Sequence, residues 1–139
     1  NMKLLLAGLA WCLACCTGWS QVWAQMSDLP ASASPERGRA LLMQRQDTGC
    51  ILCHQIPGLP VGGALGPSLH GLAQRSTPAQ ARERIADARR LNPQTIMPAY
   101  LSTEGLHNVA QRYRGQTVLT PLALDDIVSY LFQPDTTIP

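Results

Sequence analysis

The chain has 139 residues, of which 45% are hydrophobic and 14% are charged, and its formal net charge at pH 7 is +2. This length predicts one domain, and so small a net charge excludes a strong electrostatic field that would steer nucleic acid or an acidic partner. The sequence contains no evident glycine-rich phosphate loop, nucleophile–base arrangement or pair of catalytic carboxylates.

The first two dozen residues differ in character from the rest of the chain. Lys3 is followed by the apolar run LLLAGLAWCLACC and then, after a polar break, by Val22-Trp23-Ala24. This order is typical of a secretory signal peptide, and the apolar run is too short to span a membrane. We therefore predict a signal peptide over residues 1–24, a periplasmic location, and no membrane span after the signal is removed.

Cleavage after Ala24 leaves only two of the five cysteines, Cys50 and Cys53, and removes every tryptophan. A rival hypothesis is a lipoprotein acylation signal at LACC, but its leucine stands one position out of place for Cys15. The small and polar residues 25–33 predict a flexible lead-in. The remaining residues, 34–139, are expected to form the domain.

A first helix is predicted from Ser34 to about Gln44. Ser34 is a good N-cap, Pro35 suits the first helical position, and Glu36 is an acid in the first turn. Gly38 is a poor helix former, which indicates that another helix crosses closely at that position.

The six residues GCILCH follow this helix. The spacing Cys50-x-x-Cys53-His54 is the attachment pattern for a c-type haem, in which both thiols become thioethers and the histidine binds iron. In an exported protein the two cysteines can instead form a disulfide. A thioredoxin-like redox pair would need strands nearby, and a zinc site would need two further ligands, for which His70 and His107 are poorly spaced.

The stretch from Ile56 to Leu72 is too rich in glycine and proline for regular structure. A second helix, PAQARERIADARRL, is predicted from Thr77-Pro78 to Asn92-Pro93. Its Ala81, Ile85 and Ala88 recur at helical spacing. Its arginines (Arg82, Arg84, Arg89 and Arg90) alternate with Glu83 and Asp87, which is more typical of a solvated face than of a nucleic-acid patch.

A short helix is predicted over residues 105–113, and a last helix begins at Thr120-Pro121. We attribute the acids Asp125 and Asp126 to the dipole of this last helix. Its apolar residues form a single buried stripe: Leu124, Ile127, Val128 and Leu131. No segment alternates as a strand does, so the fold class is all-α. The few remaining aromatic residues give a small core, which a haem would complete.

A haem held by His54 needs a second iron ligand, and Met97 is the candidate. It stands in NPQTIMPAY, where Pro98 disfavours helical geometry and favours a loop that can reach the far face of the ring. A buried methionine that only fills space is the alternative. The other candidates are Met26 in the lead-in, Met43, His70 and His107. Histidine–methionine ligation would raise the reduction potential relative to two histidines.

Four stretches together resemble class I cytochrome c: GCILCH, GPSLHGL, Met97-Pro98 and the SYL that ends the last helix. The resemblance implies a few helices and long loops around one covalently attached haem c. It implies that the carbonyl of Pro67 accepts the N–H of His54, that Arg75 meets a haem propionate, and that Gly38 packs against Tyr130.

A narrower similarity lies between the helices. The stretches LNPQTIMPAY, EGLHNVAQRYRGQTVLT and DDIVSYL are similar to the SoxX family, the small haem subunits of the SoxAX complexes of sulfur oxidation. The similarity spans about residues 34–132. The interval 99–119 between the methionine and the last helix is longer than in ordinary small class I cytochromes.

This similarity implies the electron-accepting subunit of an L-cysteine S-thiosulfotransferase, which joins thiosulfate to a carrier-protein cysteine. It implies a heterodimer with a SoxA-like cytochrome that holds the catalytic haem, together with a sulfur-carrier protein and a downstream electron acceptor. Two alternatives stay open. One is a free periplasmic cytochrome c that carries single electrons, and the other is a haem-free binding module with a structural disulfide.

Overall fold

The computed structural model describes residues 29–134, so the predicted signal peptide, the start of the lead-in and Met26 lie outside the described residues. This part of the chain contains helices and loops and no strand, which confirms the all-α prediction. None of its helices has the length and apolar character needed to cross a membrane. Residues 29–134 contain four α-helices: α1 (Pro35–Met43), α2 (Cys50–Cys53), α3 (Pro78–Ala86) and α4 (Pro121–Leu131).

The three longer helices begin in the same way, with a hydroxyl cap followed by proline. The side chains of Ser34, Thr77 and Thr120 each accept a hydrogen bond from the backbone N–H three residues later. At α3 the side chain of Gln80 also accepts from the N–H of Thr77, which completes a capping box. These caps confirm the three predicted helix starts.

The core lies where α1 crosses α4. A Cβ placed on Gly38 would lie 2.0 Å from the carbonyl oxygen of Asp126, so the two backbones are in direct contact. This confirms the predicted close crossing. Four side chains around the crossing are almost completely buried: Leu42, Leu124, Ile127 and Val128.

The packing of Gly38 against Tyr130 that the resemblance implies stays a prediction. The atoms nearest to Gly38 belong to the backbone of Asp126 and Ile127. The hydroxyl of Tyr130 donates a hydrogen bond of 2.8 Å to the carbonyl of Pro57, in the loop that follows α2. The side chain of Tyr130 therefore holds the loop after α2, and the backbone atoms of Asp126 and Ile127 contact Gly38 where the helices cross.

Two buried carboxylates of α4 join it to the other helices. Asp126 accepts from the backbone N–H of Ser34 at 2.7 Å and from two guanidinium nitrogens of Arg37 at 2.7 and 2.8 Å. Asp125 accepts from Nε of Arg82 at 2.6 Å. The attribution of both acids to the helix dipole was therefore incomplete, since they make ion pairs between helices. Arg82 belongs to one of these pairs and not to a solvated face.

The helix after Thr77 is shorter than predicted. α3 ends at Ala86, and Asp87 follows with its backbone N–H bonded to the carbonyl of Glu83. The carboxylate of Asp87 then accepts from the backbone N–H and the guanidinium of Arg89. Asp87 is thereby the N-cap of a single 3₁₀ turn, Ala88–Arg90. An aspartate that bonds to the following backbone competes with helix continuation, and this accounts for the early end.

The predicted helix over residues 105–113 is wrong. Within this segment only Gln111–Tyr113 is helical, as a single 3₁₀ turn. Gly105 has φ +67 and Asn108 has φ 57. Left-handed backbone at two positions of one short segment is incompatible with a continuous α-helix.

Residues 29–33, which we expected in the flexible lead-in, lie against the domain. The side chain of Leu29 packs on the core, and the N–H of Ala33 donates to the carbonyl of Pro30 at 2.9 Å. Arg37 also donates to the carbonyl of Ser32 at 2.5 Å. The described part of the lead-in therefore extends the contacts of α1.

We expect Gly38→Ala to lower the free energy of unfolding by about 2–3 kcal/mol, because the new Cβ meets rigid backbone of α4. In an open helix the same substitution would raise it by about 1 kcal/mol through helix propensity. Urea unfolding followed by circular dichroism measures the change. An unchanged or increased stability would contradict the close crossing.

The ion pair of Asp126 predicts a dependence of stability on pH. Burial alone would raise the pKa of Asp126, but the hydrogen bonds from Arg37 and Ser34 and the guanidinium charge hold that pKa below its usual range. A carboxyl whose pKa falls on folding stabilises the fold above its unfolded pKa of about 3.9, and this stabilisation disappears as the pH drops through the lower folded pKa.

Asp126→Asn should therefore cost about 1–2 kcal/mol at neutral pH, a modest value because the side chain of Arg37 is 52% exposed. The stabilities of the variant and the parent should converge in acid. Urea unfolding across the acid range measures this, with the exposed Asp47→Asn as the control. Two curves that stay parallel would contradict the prediction.

Candidate haem-binding site

The site begins at α2, a single helical turn. Gly49 precedes it with φ +67, and the backbone N–H of His54 closes it on the carbonyl of Cys50 at 3.0 Å. Residues three apart in a helix lie on one face, so Cys50 and Cys53 both line the same central cavity. Neither thiol forms a disulfide within residues 29–134.

The ring of His54 is oriented by the loop that follows. Its Nδ1 lies 2.8 Å from the carbonyl oxygen of Pro67, which can only accept a hydrogen bond. Nδ1 therefore carries the proton, and Nε2 keeps the lone pair that a metal needs. His54 and Pro67 both line the central cavity, as the resemblance to class I cytochrome c implied.

Glycines allow this loop to lie directly on α2. A Cβ on Gly66 would lie 2.4 Å from Cε1 of His54, and a Cβ on Gly63 would lie 2.0 Å from the carbonyl oxygen of Leu52. The N–H of Gly66 donates to the carbonyl of Cys53 at 2.8 Å. The glycines that predicted only irregular structure are thus the residues that let the backbone touch the histidine.

Met97 reaches the same cavity from a different part of the chain. It is half-buried, and its backbone N–H donates to the hydroxyl of Thr95 at 3.2 Å. Among the described residues, Met97 is the methionine that lines the cavity, and Met43 does not. His70 and His107 are exposed and lie outside the lining. Of the described candidates for a second ligand, only Met97 lines the same cavity as His54.

The central cavity has a volume of about 560 Å³, within the range of cofactor sites. All four α-helices contribute to its walls, which are mostly apolar. The side chains from the longer helices are Leu42 from α1, Ala81 and Ile85 from α3, and Ile127 and Leu131 from α4. The aromatic-poor core is therefore arranged around an apolar space.

Within the part of the chain that the structure describes, the charged residues that line the cavity are arginines, and no aspartate or glutamate lines it. Arg75 is fixed by hydrogen bonds to the carbonyls of His70, at 2.6 Å, and of Ser68. Arg84 lines the cavity from α3. Two guanidinium groups in a cavity without acids complement a ligand that carries carboxylates.

Sequence analysis missed Arg84 by assigning it to the solvated face of α3. The available signal was its spacing. Arg84 stands three residues after Ala81 and four before Ala88, both of which are buried and line the cavity. A long side chain on that stripe can extend to the rim of the site.

The Cys50 thiol and the Tyr100 hydroxyl, which lie near each other in the cavity, both stay protonated. Burial raises the pKa of the Cys50 thiol. Burial also raises the pKa of the Tyr100 hydroxyl, with Cys50 nearby as a further cause. Both groups are therefore neutral at physiological pH.

These groups fit haem c. The cavity combines paired thiols, an oriented imidazole with a free Nε2, a thioether from a separate segment, apolar walls and two guanidinium groups. Each corresponds to one chemical feature of that group: two vinyl carbons, two axial iron positions, a flat apolar ring and two propionates.

No protein-family model and no curated protein sequence matches the chain. Among solved structures it is similar to SoxXA from P. pantotrophus, with a TM-score of 0.61 and 28% sequence identity. The match covers 71% of this chain and 80% of that chain. The chain therefore has the class I cytochrome c fold and is similar to SoxX. The prediction of that fold class is confirmed, and the SoxX-like domain places both candidate iron ligands on one cavity.

Proposed function

We propose that this chain is the electron-accepting haem c subunit of a periplasmic L-cysteine S-thiosulfotransferase of the SoxAX type. The observation that carries the proposal is the likeness to SoxXA, which extends over 80% of the matched chain. The assembly would be a heterodimer with a SoxA-like cytochrome. A sulfur-carrier protein would supply the cysteine, and a further acceptor would remove the electrons.

Six residues predicted from the sequence would hold one haem in the central cavity. Cys50 and Cys53 would form its thioethers, His54 and Met97 would be its axial ligands, and Arg75 would pair with a propionate. Pro67 fixes the proton on Nδ1 of His54. Arg84 lines the same cavity and joins this set. When bound, the haem supplies a one-electron iron couple, whose potential histidine–methionine ligation raises.

The chain's own chemistry favours electron acceptance over sulfur transfer. Joining two sulfur nucleophiles releases two electrons, and one iron accepts one of them. Haem attachment would use both thiols of residues 29–134, Cys50 and Cys53, and would leave neither to carry sulfur. The bond between thiosulfate and the carrier cysteine is therefore assigned to the partner subunit's site.

The rim of the cavity supports a subunit more than a freely diffusing carrier. Leu65 and Ile96 line the cavity and are 69% and 74% exposed, respectively. Large apolar side chains at the rim of a site are favourable when a partner covers them. The single lysine, Lys3, lies in the predicted signal, so the mature domain lacks the lysines that often steer transient docking.

We expect Met97→Ala to keep the covalent haem and to lose the methionine–iron absorption band, with a lower reduction potential. The thioethers do not depend on Met97, whereas the potential does. Visible spectroscopy and redox titration measure both effects. Met43→Ala, a half-buried methionine outside the cavity lining, is the matched control and should keep the band. An unchanged spectrum in Met97→Ala would show that Met97 is not the iron ligand.

The functional proposal is tested on protein purified from its native periplasm. A second cytochrome should co-purify with this chain. Electrons should reach its haem only when thiosulfate and a thiol-bearing carrier are both present. Omission of either reagent is the control. A chain that elutes alone and is reduced equally well by generic donors would instead be the free one-electron carrier.

A further inference from the structure

Tyr100 stands three residues after Met97 and makes a hydrogen bond that ligand assignment does not require. Its side chain is buried at 5% exposure and lines the central cavity. Its hydroxyl donates to the backbone carbonyl of Thr48 at 2.7 Å, between residues 52 positions apart. The bond joins the part of the chain that carries Met97 to the part that carries the cysteines.

The Thr48 end of this bond is firmly held. Thr48 is buried, and its hydroxyl donates to the carbonyls of Leu41 at 2.6 Å and Gln44 at 3.1 Å, at the end of α1. Only Gly49 separates it from Cys50, the first residue of α2. The acceptor of the Tyr100 hydrogen bond is therefore fixed to both α1 and the attachment motif.

The backbone of Tyr100 is also fixed. Its N–H donates to the carbonyl of Ile85 at 3.3 Å, and the N–H of Leu101 donates to the carbonyl of Ala86 at 3.0 Å, at the end of α3. Its own carbonyl accepts from the N–H of Leu119 at 3.0 Å. Tyr100 thus connects three parts of the chain: α3, the segment before α4, and Thr48 beside the cysteine motif.

The segment just before it, residues 92–98, has only local support among the hydrogen bonds of residues 29–134. The N–H of Thr95 donates to the carbonyl of Asn92, the N–H of Gln94 donates to the Asn92 side chain, and the N–H of Met97 donates to the Thr95 hydroxyl. Ile96 is 74% exposed. The Met97 side chain packs against the core, and the long-range hydrogen bonds nearest to it along the chain are those of Tyr100.

We propose that Tyr100 is a positioning residue whose hydroxyl holds the Met97 segment over the cavity and thereby sets how readily Met97 leaves the iron. This inference rests on the proposed haem and on Met97 as its ligand. Opening the segment far enough to release Met97 pulls on the hydrogen bond between Tyr100 and Thr48. Removal of the hydroxyl therefore favours the open segment relative to the closed one.

The test compares Tyr100→Phe with Tyr130→Phe in the purified holoprotein. Both variants lose one hydroxyl that donates to a backbone carbonyl, at 2.7 Å and 2.8 Å respectively, but Tyr130 does not line the cavity. Imidazole is titrated into the oxidised protein while the methionine–iron band is recorded. Unfolding by urea is measured on the same samples through circular dichroism.

Tyr100→Phe should bind imidazole roughly five- to tenfold more tightly than the parent, which corresponds to the loss of one buried hydrogen bond. Tyr130→Phe should stay within about twofold of the parent, even where its global stability falls by a similar amount. Equal imidazole affinities in the two variants would overturn the positioning role. A parent protein with haem but no methionine–iron band would overturn the ligand assignment, and the positioning role with it.

A second variant keeps the test independent of how well Tyr100→Phe folds. With Tyr113 and Tyr130 both changed to phenylalanine, Tyr100 is the only tyrosine left in the chain. On heating, its hydroxyl hydrogen bond, followed by ultraviolet resonance Raman spectroscopy, should break together with loss of the methionine–iron band and before the helices melt. A tyrosine signal that changes only with helix melting would overturn the proposal.

Discussion

The architecture depends on the contact between the backbones of α1 and α4 at Gly38. A side chain at this position would push the helices apart, and the core residues that cross there would separate. Leu42 and Ile127 belong to that core and also line the central cavity. The distance between two helix backbones therefore sets one wall of the cofactor site, and the ion pair between the buried Asp126 and the half-exposed Arg37 holds the helices at that distance.

Local signals in the sequence were sufficient for most of the fold. Ser34, Thr77 and Thr120, each followed by proline, mark helix starts because capping involves residues within one turn. The partners of Asp125 and Asp126 were not predictable, since they lie 43 and 89 residues away. The helix expected over 105–113 failed because two of its residues take a left-handed backbone, which helical spacing does not reveal.

The residues of the candidate site likewise divide into those that local sequence predicts and those that only the structure reveals. Cys50, Cys53 and His54 are adjacent in the sequence, so their motif identifies them directly. Met97 required the further argument that Pro98 keeps it out of a helix. Arg84 and Tyr100 became visible only in three dimensions, because their importance depends on which wall of the cavity each one joins. Residues that support a ligand from another segment leave little trace in local sequence patterns.

The loop after α2 attaches to it through main-chain atoms. The N–H groups of Gly63, Gly66 and Leu69 donate to the carbonyls of Ile51, Cys53 and Gln55 at 2.8–2.9 Å. Next to these attachment points the loop presents Val61 and Leu65, which are 49% and 69% exposed. Because the attachment does not use those side chains, the outer surface of the loop can change through mutation while its backbone stays bonded to α2 and to Gln55.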